Sequence, residues 1–360
     1  MRFVSYMTPG FPPSLFRAIA ARLDADLHLE TEVSGPTPGT DPFAEDRFDL
    51  GWICSTSYVD LALRSPTPSI RLAGVAWVPD DPDSAGRPVY FGDLVVRPDS
   101  PVRTLLNLGG RRIGCNDPIS LSGHHALRFE LERLGQDPGR FADLHFTGGH
   151  HRSLDLVLAG ELDAAVVDSV VRIGRSRRDA DVAGLRVVDR LGPWPVQPLV
   201  ASTSMPDEQR LAVSEALLTP EAHAALRPKL AAAALSKLVP VDDSHYEPVL
   251  QTTPLPPCSP SSTVEPLPTI VSPPRPACQE PTSPRTSRDA RPAECSLRAG
   301  VYCPSGRSTG ASADHVTSKA GLQIHCRSGP ATATFMPWGP GSRIAALWVW
   351  FSSRSNSGAS

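Results

Sequence analysis

From Arg2 to about Glu247 the chain repeats one alternation: a short apolar run, a polar turn, then apolar residues at helical spacing. Strands are expected at 2–6, 27–31, 48–53, 70–78, 89–96, 113–115, 144–146, 164–167, 185–189 and 199–202. Helices are expected at 14–23, 58–63, 126–134, 151–159, 206–218 and 221–230. In the helix at 126–134, Leu127, Leu131 and Leu134 share a face, and Ser14 is placed to cap the first helix. Strands that alternate with helices at this spacing imply an α/β fold built on parallel sheets. Such sheets bind ligands beyond the carboxyl ends of their strands.

Polar clusters stand at those ends. Cys54-Ser55-Thr56-Ser57 follows one strand, Asn116 to His125 another, Thr147-Gly148-Gly149-His150 a third and Asp168 a fourth. The stretch around Ser120, Ser122 and Gly123 joins a strand to a helix. There the first N–H groups of the helix lack partners and the helix dipole favours negative charge, so an anion is the expected occupant.

Composition divides the chain. Residues 248–360 hold 17 of its 39 prolines and five of its seven cysteines, Cys258, Cys278, Cys295, Cys303 and Cys326. That segment lacks hydrophobic periodicity and is expected to be disordered, as a linker or a read-through extension. The body carries only Cys54 and Cys115, which implies no disulfide framework. A net charge of −3 gives no basic field, so nucleic acid is not an expected partner. No run is long enough to span a membrane. The start, Met1-Arg2-Phe3-Val4-Ser5-Tyr6-Met7, does not read as a signal peptide, so the chain as written is expected in the cytoplasm, or outside it if the true start lies upstream.

An ordered set of motifs carries a resemblance. Tyr58 after a strand is followed by Gly86-Arg87-Pro88-Val89-Tyr90, then Leu105 to Ile113, then Asp117-Pro118 with Ser120-x-Ser122-Gly123. Gly148-Gly149-His150, Leu162 to Asp168 and Asp243-Ser244-His245-Tyr246-Glu247-Pro248 complete the set. Together they resemble the phosphonate-type substrate-binding proteins of ABC transporters, over about residues 1–247. The resemblance implies a two-lobed type 2 periplasmic-binding-protein fold that closes about a hinge of two crossing strands, near Tyr90–Val95 and Val188–Pro195. Lobe one would be residues 1–91 and 191–247, and lobe two residues 92–190. It also implies roles: Ser120, Ser122 and Gly123 cradle an oxyanion, Tyr58 and Tyr90 flank it, His150 faces it, and Asp168 holds a ligand amine. Leu121 stands where the family often has a hydroxyl residue, and Cys54-Ser55 where it more often has Gly-Pro.

Each residue also has a plainer reading. The serines and Asp168 can be helix caps, and the tyrosines can be core residues with a wet hydroxyl. The pairs His124-His125 and His150-His151 lack the spacing of a metal site, and Cys54 reads as a small buried residue before a nucleophile. The expected function is capture of a small organic anion by a monomer, for a transporter permease and without cofactor or metal. The alternative is a cytosolic enzyme on the same fold, with His150 and Asp168 as acid and base.

Overall fold

The computed structural model describes residues 1–31 and 35–252, together with His325–Cys326 and Gly329–Pro330, which pair as two short antiparallel strands. In chain order the body begins β1 (Arg2–Thr8), α1 (Pro13–Arg22), β2 (Asp26–Thr31), β3 (Leu50–Trp52), α2 (Ser55–Tyr58), β4 (Ile70–Pro79) and β5 (Val89–Val96). It continues β6 (Arg112–Cys115), α3 (Ala126–Arg133), α4 (Pro138–Phe141), β7 (Asp143–Phe146), α5 (His150–Leu158), β8 (Ala164–Asp168), α6 (Ser169–Ser176) and α7 (Ala180–Ala183). It ends β9 (Arg186–Pro195), β10 (Pro198–Ser202), α8 (Asp207–Leu218), α9 (Pro220–Ala232), β11 (Leu235–Pro240) and α10 (Glu247–Leu250).

Two sheets organise these elements. One has the order β11-β4-β10-β3-β1-β2 and the other β7-β6-β8-β5-β9. Both are mixed, which corrects the expectation of parallel sheets. β1 runs parallel to β2 and β3, and β6 parallel to β7 and β8. β10 and β11 run antiparallel to their neighbours in the first sheet, as β5 does to β8 and β9 in the second. Antiparallel neighbours need no helical crossover, so a count of alternating elements does not reveal them. The two segments expected to cross, β5 and β9, pair directly with each other.

Burial follows the pleat. On β5, Leu94 and Val96 pack with Ile113, Leu127 and Leu131 on one face, while Val95 packs with Leu154 and Val157 on the other. The larger core lies around the first sheet, where Trp52 and Trp77 stack at 4.3 Å. Val170 and Val171 of α6 and Leu121 join that core. A buried charge cluster ties β5, β9 and α6 to the loop after β4. Asp93, fully buried, takes Arg172 at 2.5 Å and Arg190 at 2.8 Å, and Arg190 also reaches Asp81 at 2.5 Å. Burial acts to lower the pKa of Arg190, but its bonds to Asp81 and Asp93 outweigh this and raise it.

Residues 248–250, counted above with the tail, form α10, whose Val249 is buried. The expectation of disorder from 248 on does not hold for 248–250; from 253 it lies outside the described residues apart from the two short strands.

Candidate functional site

The carboxyl ends of β1, β3, β6, β7 and β8 converge on one cleft of about 50 Å³. Residues 6–8 end β1 and 9–11 follow it, Cys54 follows β3, and Asn116, Asp117, Ser120 and Ser122 follow β6. Gly148, Gly149 and His150 follow β7, Asp168 ends β8, and Gln197 joins β9 to β10. Backbone bonds hold two of these loops together: Thr147 donates to the Cys115 carbonyl and Gly148 to that of Asn116, both at 2.8 Å.

Among the described residues that line the cleft, none is lysine or arginine. Helices α2 and α5 begin directly after two of its lining residues, Cys54 and Gly149, and neither has a side-chain cap, so backbone N–H groups are left there as donors in place of cationic side chains.

Ser120 caps, and Ser122 sits on, a wide helical turn, Leu121–His125, that runs straight into α3. This replaces the simple turn expected there. The Ser120 carbonyl accepts from both His124 and His125, and its hydroxyl oxygen accepts from Gly123 N–H at 3.1 Å. The Gly123 amide is thus engaged within the turn, and Gly123 does not line the cleft. A Cβ at this position would lie 1.8 Å from Asn116 Oδ1 and 3.0 Å from His150 Cε1, so the glycine permits a close approach. Leu121 is fully buried in the core of the first sheet. His124 Nδ1 and His125 Nε2 both approach the Pro118 carbonyl, at 2.8 and 3.2 Å, and burial depresses the pKa of each ring.

The two tyrosines separate. Tyr90 lines the cleft, is 1% exposed, and has a hydroxyl with no hydrogen-bond partner among the described residues, although Ser122 is beside it. Tyr58 does not line the cleft: its hydroxyl donates to Asp243 Oδ1 at 2.6 Å and its ring packs edge-on against Tyr246.

His150 lines the cleft at the start of α5. Its Nδ1 accepts from Asp168 N–H at 3.3 Å, so the neutral ring carries its proton on Nε2 as a donor. Burial, then the neighbouring His151, push its pKa down to about 3. Asp168 does two things. Its Oδ1 accepts from Val170 and Val171 N–H and caps α6, and its Oδ2 accepts from Gln197 Nε2 at 2.8 Å. Burial pushes its carboxyl up to about 7 despite these bonds. Cys54 is buried at the cleft wall, where the Thr56 hydroxyl donates to its sulfur at 3.1 Å, and burial raises its thiol pKa.

A family profile described as ABC transporter, phosphonate, periplasmic substrate-binding protein matches residues 15–246. The chain belongs to this family. Its role is therefore solute binding, and the enzyme alternative is set aside on that ground. Among solved structures, a binding protein component of an ABC phosphonate transporter from Pseudomonas aeruginosa is 17% identical, with a TM-score of 0.56, over 69% of this chain and 83% of that one. PhnD1 from Prochlorococcus marinus, in complex with methylphosphonate, is 14% identical with a TM-score of 0.54, over 69% and 95%. A Xanthomonas citri protein bound to ATP is 16% identical with a TM-score of 0.51, over 69% and 93%. At these identities the likeness shows the fold. No curated protein sequence matches the chain. No helix among the described residues is long and apolar enough to cross a membrane.

Sequence reasoning on this phosphonate-family chain missed the wall formed by residues 6–11 and by Gln197. The first could have been found, since it follows the carboxyl end of an expected strand. Gln197 lies in the short link between two strands of different sheets and carried no signal.

Proposed function

We propose that the chain captures a small oxyanion, phosphonate-like or a related organic anion, in this cleft and delivers it to an ABC transporter permease. Capture closes lobe one, residues 1–91 and 191–247, on lobe two, residues 92–190. Ser120, Ser122, Tyr90 and His150 supply donors, Gly123 gives the cradle its close packing, and Asp168 faces the ligand from the end of β8. Tyr58 supports the wall from outside through Asp243.

One observation carries this reading: the buried Tyr90 hydroxyl, which makes no full hydrogen bond among the described residues and has only Ser122 beside it, lines the cleft where α5 begins uncapped. A buried hydroxyl left unpaired is unfavourable by about 1–3 kcal/mol, which an incoming acceptor would relieve. Calorimetry against phosphonates, phosphate esters, sulfonates and carboxylates tests it. Binding of at least one anion, weakened by Ser122→Ala, is expected. No binding, or binding indifferent to that change, refutes it. Delivery to a permease places the protein outside the cytoplasm, and upstream coding sequence for an export signal is the observation to seek.

A further inference from the structure

An anion cleft without lysine or arginine has to place its ligand beside two carboxyl groups, Asp117 and Asp168, which are 8% and 1% exposed. An ionised carboxylate can only accept hydrogen bonds, and an oxyanion brings more acceptors, so the two repel unless a proton lies between them. The geometry at Asp168 leaves one position for that proton. Its Oδ1 receives two backbone N–H groups, which fill both lone-pair directions, whereas among the described residues Oδ2 receives only Gln197 Nε2. The second lone pair of Oδ2 is available.

Resting on the anion reading above, we propose that Asp168 takes up a proton as the oxyanion enters and binds it as a neutral carboxylic acid, donating O–H to an anion oxygen. Asp168 is then a ligand-contacting donor, and anion capture is linked to pH.

The groups around Asp168 leave the role to it. From α5, His150 is held neutral by burial, with its pKa near 3. From β5, Tyr90 is held protonated by burial, and Asp93 is paired with Arg172 and Arg190. Cys54 beyond β3 is held as a thiol, and Tyr6 on β1 is raised to about 12, both by burial first. Asp117 after β6 is the other carboxyl that faces the ligand. Burial pushes Asp168 up to about 7, and a bound anion raises it further.

The test is calorimetry of the full chain with methylphosphonate and with methanesulfonate, from pH 6 to 9, in two buffers of different ionisation enthalpy. Near pH 9 the expected result is uptake of about one proton per anion, with Kd rising about tenfold per pH unit. Methanesulfonate takes no proton itself in this range, so its uptake reports the protein. Asp168→Asn, which keeps a cap for α6 and offers N–H in place of O–H, is expected to bind with no such slope and to exceed the natural chain at pH 9. Binding without proton uptake by the unaltered chain overturns the proposal and leaves the anion reading intact. A slope that survives in Asp168→Asn also overturns it. Failure at pH 6 of every anion in the calorimetric series above, methylphosphonate and methanesulfonate included, overturns the anion reading itself.

Discussion

At the scale of single residues, two tyrosines of similar burial have different work, and two substitutions separate it. Removing the Tyr90 hydroxyl gives up at most its contact with Ser122, because that hydroxyl makes no full hydrogen bond among the described residues. Tyr90→Phe is therefore expected to leave folding stability unchanged or slightly higher. Anion Kd should rise roughly tenfold, the effect of one hydrogen bond to a charged group at about 1.5 kcal/mol. Tyr58→Phe should do the reverse. It removes the 2.6 Å bond to Asp243 and lowers stability by roughly 1–2 kcal/mol, with Kd unchanged. Urea unfolding and calorimetry on both variants check the pair, and the same pattern in both would contradict the assignment. The sequence placed both tyrosines after or on strands, where the family motif has them. It could not say which hydroxyl points inward, since that depends on Asp243, nearly two hundred positions away in the chain.

At the scale of elements, most strands and most helices were legible because their apolar spacing is regular, while β11 was not read. Strand β5 matches its expected range of 89–96 throughout. The wide turn Leu121–His125 was not legible, because its extra residue per turn leaves no mark in so short an apolar pattern. What fixes that turn in place is a glycine on the neighbouring strand. A Cβ at Gly92 would lie 2.4 Å from the Ser122 carbonyl oxygen and 3.1 Å from Val166 Cγ1. A glycine within a strand often marks such a close approach, so this signal was present in the sequence and unused. Gly92→Ala is expected to push the turn away from β5 and move both serines. Overpacking of this kind lowers stability by about 1–3 kcal/mol. Anion Kd should rise more than tenfold, since the donors lose their common aim. Unchanged affinity in a folded Gly92→Ala protein would show that the serines do not set the cradle.

At the scale of the whole molecule, the α/β class and the placing of the site at strand ends followed from the sequence. Strand direction and the burial of charge did not, because both depend on which strands become neighbours. Burial of titratable groups has a global consequence in the dependence of stability on pH. His125 and His150 are both held near pKa 3, chiefly by burial, against an ordinary value of 6.5. Between about pH 6 and 4 the unfolded chain therefore binds two protons that the folded chain does not, and stability falls as pH falls. Asp168 acts in the opposite sense. With its carboxyl near 7 when folded and 3.8 as its ordinary value, the folded chain binds one more proton over the same window. The net difference from these three groups is about one proton, so together they contribute a fall in stability of roughly 1.4 kcal/mol per pH unit on acidification from pH 6 to 4. His124, His151 and His245, also lowered by burial, add to the slope. Asp168→Asn removes the opposing proton and should steepen the slope by about another 1.4 kcal/mol per unit. Urea unfolding at half-unit pH steps measures both slopes. A steeper slope in the variant would locate the counteracting proton on Asp168, the same group that meets the anion, whereas equal slopes would mean that Asp168 is ionised in the empty cleft.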